Sequence, residues 1–355
     1  MVECAGHMTA DELMEEALRQ VAAVWQVEAG QIVQSESSFD WTPGSHTVRV
    51  SASKHDDGRA RVRLWIETDF LRDIPIQNDS FCGVLGALAP FETSTYSLVY
   101  PPNDIWKEYR GREPAKLSLF SSAYISEQSA SWLPRFAAQM AIMQPINAEI
   151  RSTPMSEILG GGTPAYAKGE KATIYNAILE IAADIDARGS APSRWGGSEE
   201  FTTCATEYGR SDQCFGNGDP SGLTLETPFG SNSALIRLRT DRAHPQLKNG
   251  LLITVQIPFW STPAEVTNEA AFLNFWEARS WTDFPQFGCW HLYLTGNDKA
   301  GLAHTSFVPN ALYLDNLVFN LALWSVARAQ WVRRERWPDL QDLTMAKILD
   351  ARLGG

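Results

Sequence analysis

The stretch spanning residues 305–331 has a weaker copy earlier in the chain, and this repetition constrains the fold more than any other feature. In the late copy Phe307 and Leu312 lead into Leu314, Leu317, Val318, Leu321, Trp324 and Arg328, the spacing of one helical face. In the early copy Phe120 and Ile125 lead into Leu133, Phe136, Met140 and Met143, and Phe120 stands 187 positions before Phe307. The same offset sets Leu64-Trp65-Ile66 against Leu251-Leu252-Ile253. Further on, TPMSEIL at 153–159 matches LTMAKIL at 343–349 at an offset of 190. With 355 residues the chain is long enough for two cores, and these matches read as tandem duplication of one unit of about 150 to 190 residues.

The first unit is expected over 1–160, a linker over 161–169 and the second unit over 170–355. A Gly/Ser-rich insertion at about 190–232 sets the second unit apart. Thr9 and Glu12 form a capping box for a helix over 9–28, with Leu13, Ala17, Val21 and Trp25 on one face. Alternation predicts strands at 46–53 and 61–70, preceded by one edge strand near 31–40. A short helix at 80–89, strands at 96–100 and 115–124, and a helix capped by Ser131 and running to about Gln144 complete the unit. The second unit opens with a helix over 170–188. Strands follow at 223–227, 234–240 and 251–259, then a helix at 269–280, a hairpin of 290–295 with 303–308, the long helix, and a short one at 343–353. Each unit thus reads as helix, three strands, helix, two strands, helix. The fold class is α+β: two related domains, each an antiparallel sheet with helices packed on it.

Composition narrows the functions. A net charge of -12 repels a phosphate backbone, which argues against nucleic acid. No apolar run reaches the length of a membrane span, and the acidic start MVECAGHMTADELMEE lacks a secretory signal, so a cytoplasmic protein with no membrane partner is expected. The five cysteines are scattered and odd in number, unlike a disulfide framework.

Candidate chemistry is sparse. Cys204 and Cys214 are a pair too widely spaced for structural zinc, and incidental loop cysteines are the simpler reading. His291 and His304, with Cys289 and Asp298 nearby, flank the last hairpin, but the first unit shows no repeated counterpart. Gly160-Gly161-Gly162 and Gly216-Asn217-Gly218 lack the Lys-Ser/Thr of a phosphate loop and read as linker and turn. The run Arg328, Trp331, Arg333, Arg334, Arg336, Trp337 complements a helix C-terminus or an acidic partner better than nucleic acid. No catalytic residue, metal ligand or cofactor is assigned. The aromatic residues carry more. Trp65 alternates with core positions and so falls on the opposite sheet face, and Trp260, Trp276, Trp281 and Trp290 crowd the second unit. Thirteen tryptophans are many for this length, and an apolar outer sheet face needs a cover, so these five are the candidate binding residues.

The element order, together with a helix bearing Phe-Leu-x-Phe-Trp, a strand WHLYLTG, a turn GNDKAG, another strand and a helix entered through LYLDNLVFNLALW, resembles the bacterial type III secretion chaperone-like (Tir chaperone-like) fold. The resemblance rests on pattern over nearly the whole chain twice, with no invariant motif. It implies a single-chain pseudo-dimer, monomeric or homodimeric, that holds an extended segment of a protein partner on apolar surface. The length, the insertion and the tryptophan content depart from that family. The expected function is therefore a non-catalytic protein-binding, chaperone-like module. The alternatives are an enzyme with a pocket between the halves, or a structural component of a larger assembly.

Overall fold

The computed structural model describes residues 8–27, 32–55, 60–74, 93–99, 115–163, 187, 195, 199–209, 215–245, 247–280, 282, 284–294 and 300–338. They form two compact units. One comprises Met1–Phe81, Thr93–Asp184 and the short late segment Pro285–Phe287, and the other Cys82–Glu92, Ile185–Phe284 and Gly288–Gly355. The expected helices at 80–89, 170–188 and 343–353 lie outside the described residues, apart from helical Ala187, as does the linker beyond Thr163.

The first unit opens with α1 (Ala10–Val24), begun by the Thr9–Glu12 capping box. Six strands follow, β1 (Ile32–Ser35), β2 (Ser38–Trp41), β3 (Val48–Lys54), β4 (Arg61–Ile74), β5 (Thr95–Val99) and β6 (Ala115–Ser126), and then α2 (Leu133–Ala141) and α3 (Met143–Leu159). All pairings are antiparallel, in the order β1-β2-β3-β4-β6-β5. Val50, Val62, Leu64, Ile66, Leu119 and Ala123 form the inner face, fully buried under the helices. Trp25 fixes α1 to this core by stacking on Trp41 at 4.9 Å and donating to the Ala138 carbonyl at 2.9 Å.

The second unit has α4 (Glu200–Gly209), β7 (Phe215–Asp219), β8 (Gly222–Phe229), β9 (Asn232–Arg239), β10 (Gly250–Ser261), α5 (Pro263–Arg279), β11 (Cys289–Leu294), β12 (Ala300–Pro309), one 3-10 turn (Asn310–Leu312) and α6 (Leu317–Arg336). Its strand order, β7-β8-β9-β10-β12-β11, repeats that of the first sheet position for position. The two units are therefore copies of one α+β plan.

The copies are not in strict sequence register. Leu64 pairs with Ala123 and Leu251 with Val308, so positions 187 apart on the central strands become 185 apart on their partners. With Leu251 set on Leu64, Thr305 takes the place of Phe120; with Phe307 set on Phe120, Leu251 takes the place of Ile66, and either way one strand is displaced by two residues. A slip of two leaves every side chain on its face, because strand side chains alternate with a period of two.

Several expectations are corrected. The single edge strand near 31–40 is a hairpin of β1 and β2, turning at Glu36-Ser37 without the usual glycine or asparagine. Ser131 does not cap the helix after β6. Trp132 is its N-cap, with no side-chain cap, and the helix divides at Ile142. Pro145 accounts for the division: it has no N–H for the Ala141 carbonyl and sits in the first turn of α3, where that loss is tolerated. The middle helix of the second unit begins at Pro263 rather than 269, because Thr262 and Glu265 make a second capping box. The segment at 190–232 is not wholly an insertion. It contains α4, β7 and all of β8; the two strands stand where β1 and β2 stand in the first unit, whereas α4 lies on β7 and β8 and not, as α1 does, on the central strands.

Gly216 and Gly218 are correspondingly not turn residues. They belong to edge strand β7, and α4 lies directly on them: a Cβ on Gly218 would fall 2.5 Å from the Phe201 carbonyl oxygen, and one on Gly216 2.9 Å from that of Ala205. Gly218→Ala should destabilise the protein by about 1–3 kcal/mol, since backbone must move to relieve the overlap. Gly209→Ala, with nothing within 4 Å of the added Cβ, should be neutral or slightly stabilising. Urea unfolding of the two variants checks both outcomes.

Candidate functional site

The second unit buries a polar cluster between its sheet and its last two helices. On α5, Asn274 and Glu277 are three residues apart and share a face. Asn274 acts on the backbone of edge strand β11: its Oδ1 accepts from the Trp290 N–H at 2.8 Å and its Nδ2 donates to the Trp290 carbonyl at 3.0 Å, as a neighbouring strand would. The Glu277 carboxylate accepts from the Trp290 indole N–H at 2.7 Å and from Arg328 Nε and Nη2 at 3.1 and 3.0 Å. Both partners of that ion pair are buried, and the Arg328 guanidinium also lies 4.7 Å from the Phe284 ring centre. A carboxylate so fully engaged is a structural lock among α5, α6 and β11.

The first unit has a neutral counterpart. Gln144 stands eleven residues past Leu133, the first residue of α2, as Arg328 stands eleven past Leu317, the first of α6. Its amide lies 3.0 Å from both Thr68 Oγ1 and Ser121 Oγ. Both copies therefore place one buried polar side chain eleven residues into this helical segment, bonded to the sheet in the first unit and to α5 in the second.

His291 and His304 do not converge. His304 pairs with Trp290 and shares its inner face, so His291, the next residue on β11, points to the other side. His291 lies 2.7 Å from Thr305 Oγ1 and 2.8 Å from the Leu292 carbonyl. His304 is buried with its ring edge-on to Trp290, and neither ring nitrogen makes a hydrogen bond. Burial, and secondarily Arg328 and His291, hold its pKa well below the ordinary histidine value, and burial likewise lowers that of His291. Asp298 and Cys214 lie outside the described residues. Cys204 is not on a loop but inside α4, where burial and Glu200 push its thiol up to about 12 and keep it protonated. Among the described residues no group of three or more metal-ligating side chains occurs.

The arginine-aromatic run is largely occupied within its own unit. Arg328 holds Glu277, Trp331 packs on Phe284, Arg336 pairs with Glu269, and Trp337 packs on Phe229 and Phe259. Gly160 ends α3 at φ 72°, and Gly162 bridges Arg72 beside β4.

The candidate tryptophans fall in different places. Trp290 is completely buried and bonded to Glu277, so it is withdrawn from the surface set, and Trp281 lies outside the described residues. Trp65 is half-buried on the outer face of the first sheet, stacked on Phe120 at 5.0 Å, with the Arg63 guanidinium 4.7 Å away. Trp276 is exposed on α5 and stacked on Phe272. Trp260 is 50% exposed beyond a bulge in β10 and meets Tyr293 edge-on across Gly301. Gly301 makes this contact feasible, because a Cβ there would fall 2.4 Å from the Tyr293 ring. Leu294, 74% exposed, ends the same edge strand. Sequence reasoning missed Tyr293 and Leu294. A glycine on one strand flanked by aromatics on both neighbours was the available signal, but reading it requires the register.

Among the described residues no helix is long and apolar enough to cross a membrane.

Removing one partner of the buried ion pair, as in Glu277→Gln or Arg328→Met, should cost about 3–5 kcal/mol by chemical denaturation, since the other charge is left buried. A second expectation concerns acid. His304 and His291 bind protons more weakly folded than unfolded, so stability should fall as the pH drops below about 6.5, where the unfolded chain gains protons first. His304→Leu, which installs the residue of the matching position Leu119, should flatten that fall in thermal melts between pH 7 and 5.

Comparison of the chain with protein-family models, with curated proteins and with solved structures gave no match.

Proposed function

We propose that this chain is a non-catalytic, chaperone-like protein-binding module that holds an extended segment of a partner protein. The observation that carries the reading is the aromatic end of the second sheet, where Trp260 and Tyr293 meet across Gly301 beside the exposed Leu294. This end belongs to an edge strand: among the described residues β11 is paired on one side only, with β12. Asn274 occupies the outer backbone groups of Trp290, and Leu292 and Leu294 direct theirs to the same side further along, where the Leu292 carbonyl also has His291 Nδ1 at 2.8 Å. An extended segment added there gains main-chain hydrogen bonds, and its alternate side chains meet Tyr293, whose ring is held across Gly301 by Trp260. The polar cluster of the same unit supports a binding role over catalysis, because its carboxylate and guanidinium are committed to each other.

Panning a displayed library of linear peptides against the protein, followed by fluorescence anisotropy on the selected sequences, tests the reading. Trp260→Ala and Leu294→Asp should each weaken binding by about tenfold or more, the cost of losing an aromatic or apolar anchor, without changing the melting temperature. Selected peptides that bind both variants as well as the unaltered chain would place the site elsewhere. A library that yields no binder would overturn the reading.

A further inference from the structure

Pro285–Phe287 lies far along the sequence yet belongs to the first unit, and its middle residue is paired with β6. Gln286 N–H donates to the Ser122 carbonyl at 2.7 Å, and Ser122 N–H donates to the Gln286 carbonyl at 3.3 Å. These are the two bonds of an antiparallel pair. The side chain adds to them: Gln286 Oε1 accepts from Ser122 Oγ at 2.6 Å and from Arg63 Nη2 at 3.4 Å. Phe287 packs edge-on against Phe136 of α2, with ring centres 5.3 Å apart. Both residues are buried.

The segment comes just before β11 in the chain. In the first sheet β5 begins at Thr95, opposite Phe120, and in the second β11 begins at Cys289, opposite Thr305. With Leu251 set on Leu64, Thr305 is the counterpart of Phe120, and in both copies the strand then begins at the same point. β6 continues past it to Ser126, and the place beside Ser122 is taken by Gln286. The segment is also short. Phe284 before it and Gly288 after it belong to the other unit, and Gly288 turns the chain at φ 88°. One residue thus supplies both of the main-chain bonds.

We infer that Pro285–Phe287 is a built-in occupant of a strand-accepting site on β6, and that an extended partner segment carrying a side-chain amide followed by an aromatic residue competes for it. The inference rests on the peptide-holding reading and adds to it a second site with its own recognition chemistry and restraint. Ser122 and Arg63 read the amide, Phe136 receives the ring, and the tethered occupant lowers the apparent affinity for outside segments by the fraction of time it is seated. A longer segment gains more bonds along β6 than the occupant makes.

The probe is a fluorescent peptide with the chain's own sequence TDFPQFG, residues 282–288. Gln286→Ala in the full chain removes the occupant's amide clamp and should bind this peptide at least tenfold tighter than the unaltered chain. Ser122→Pro, which has no N–H to donate, should abolish the gain, and the probe with alanine in place of its glutamine should bind more weakly. Equal affinities for the folded Gln286→Ala and unaltered chains would overturn the inference. If Gln286→Ala fails to fold, hydrogen exchange on the unaltered chain decides: the Gln286 amide should lose protection as the probe is titrated, and unchanged protection overturns the idea. The two proposals fail separately. Library peptides lost with Trp260→Ala uphold the general reading whatever TDFPQFG does, and a Gln286-dependent gain without such peptides upholds the β6 site alone.

Discussion

The second unit depends on one buried ion pair. Taking Glu277 and Arg328 out of water costs several kcal/mol per ion unless each is surrounded by partners. Here the carboxylate receives the indole of Trp290 and two guanidinium nitrogens, and the guanidinium lies over Phe284. Because these contacts join α5, β11 and α6, the helices cannot slide on the sheet without exposing a charge. The arrangement specifies position more than it adds stability. The first unit reaches the same end with a neutral amide, Gln144 between Thr68 and Ser121, which carries a smaller desolvation cost.

His304 adds a tension to this design. It occupies an inner-face position that an aliphatic residue fills in the first copy, makes no hydrogen bond, and has Arg328 nearby. Its neutral form is the one compatible with that neighbourhood. An ion pair, a buried tryptophan and an unbonded imidazole concentrated in one unit mark where the two units differ in chemistry while sharing the same strand order.

Much of the fold was legible in the sequence. The Thr9–Glu12 box, the alternation of Val62, Leu64 and Ile66, and the copied Leu251-Leu252-Ile253 placed a helix and both central strands, because local capping and period-two burial write directly into residue order. What was missed depended on contacts distant in sequence. Glycines at 216 and 218 look like a turn until a helix is known to lie on them. The hairpin at Glu36-Ser37 lacks the residues that usually mark such turns, and Thr262 was passed over although its box has the same pattern as that of Thr9. The aromatic reading was mixed for the same reason: alternation placed Trp65 on the outer face, whereas nothing local distinguishes buried Trp290 from exposed Trp260. Tyr293 and Leu294 enter only once strand pairing shows β11 to be an edge. Gln286 was invisible, since its partners are 164 and 223 positions away.

The two-residue slip between the copies bears on how such a chain can change. An insertion or deletion of one residue in β6 or β12 would turn the rest of that strand inside out, sending core residues to water. A change of two keeps every residue facing its own side and asks only for a shifted partner. Chains that share this repeated plan should therefore differ in strand length by even steps, with odd steps confined to bulges such as the one between Ile257 and Trp260 and to the connecting turns. The parity of an alignment gap then becomes a marker of structure: between related chains, an odd gap locates a bulge or a loop even where no residue identity survives.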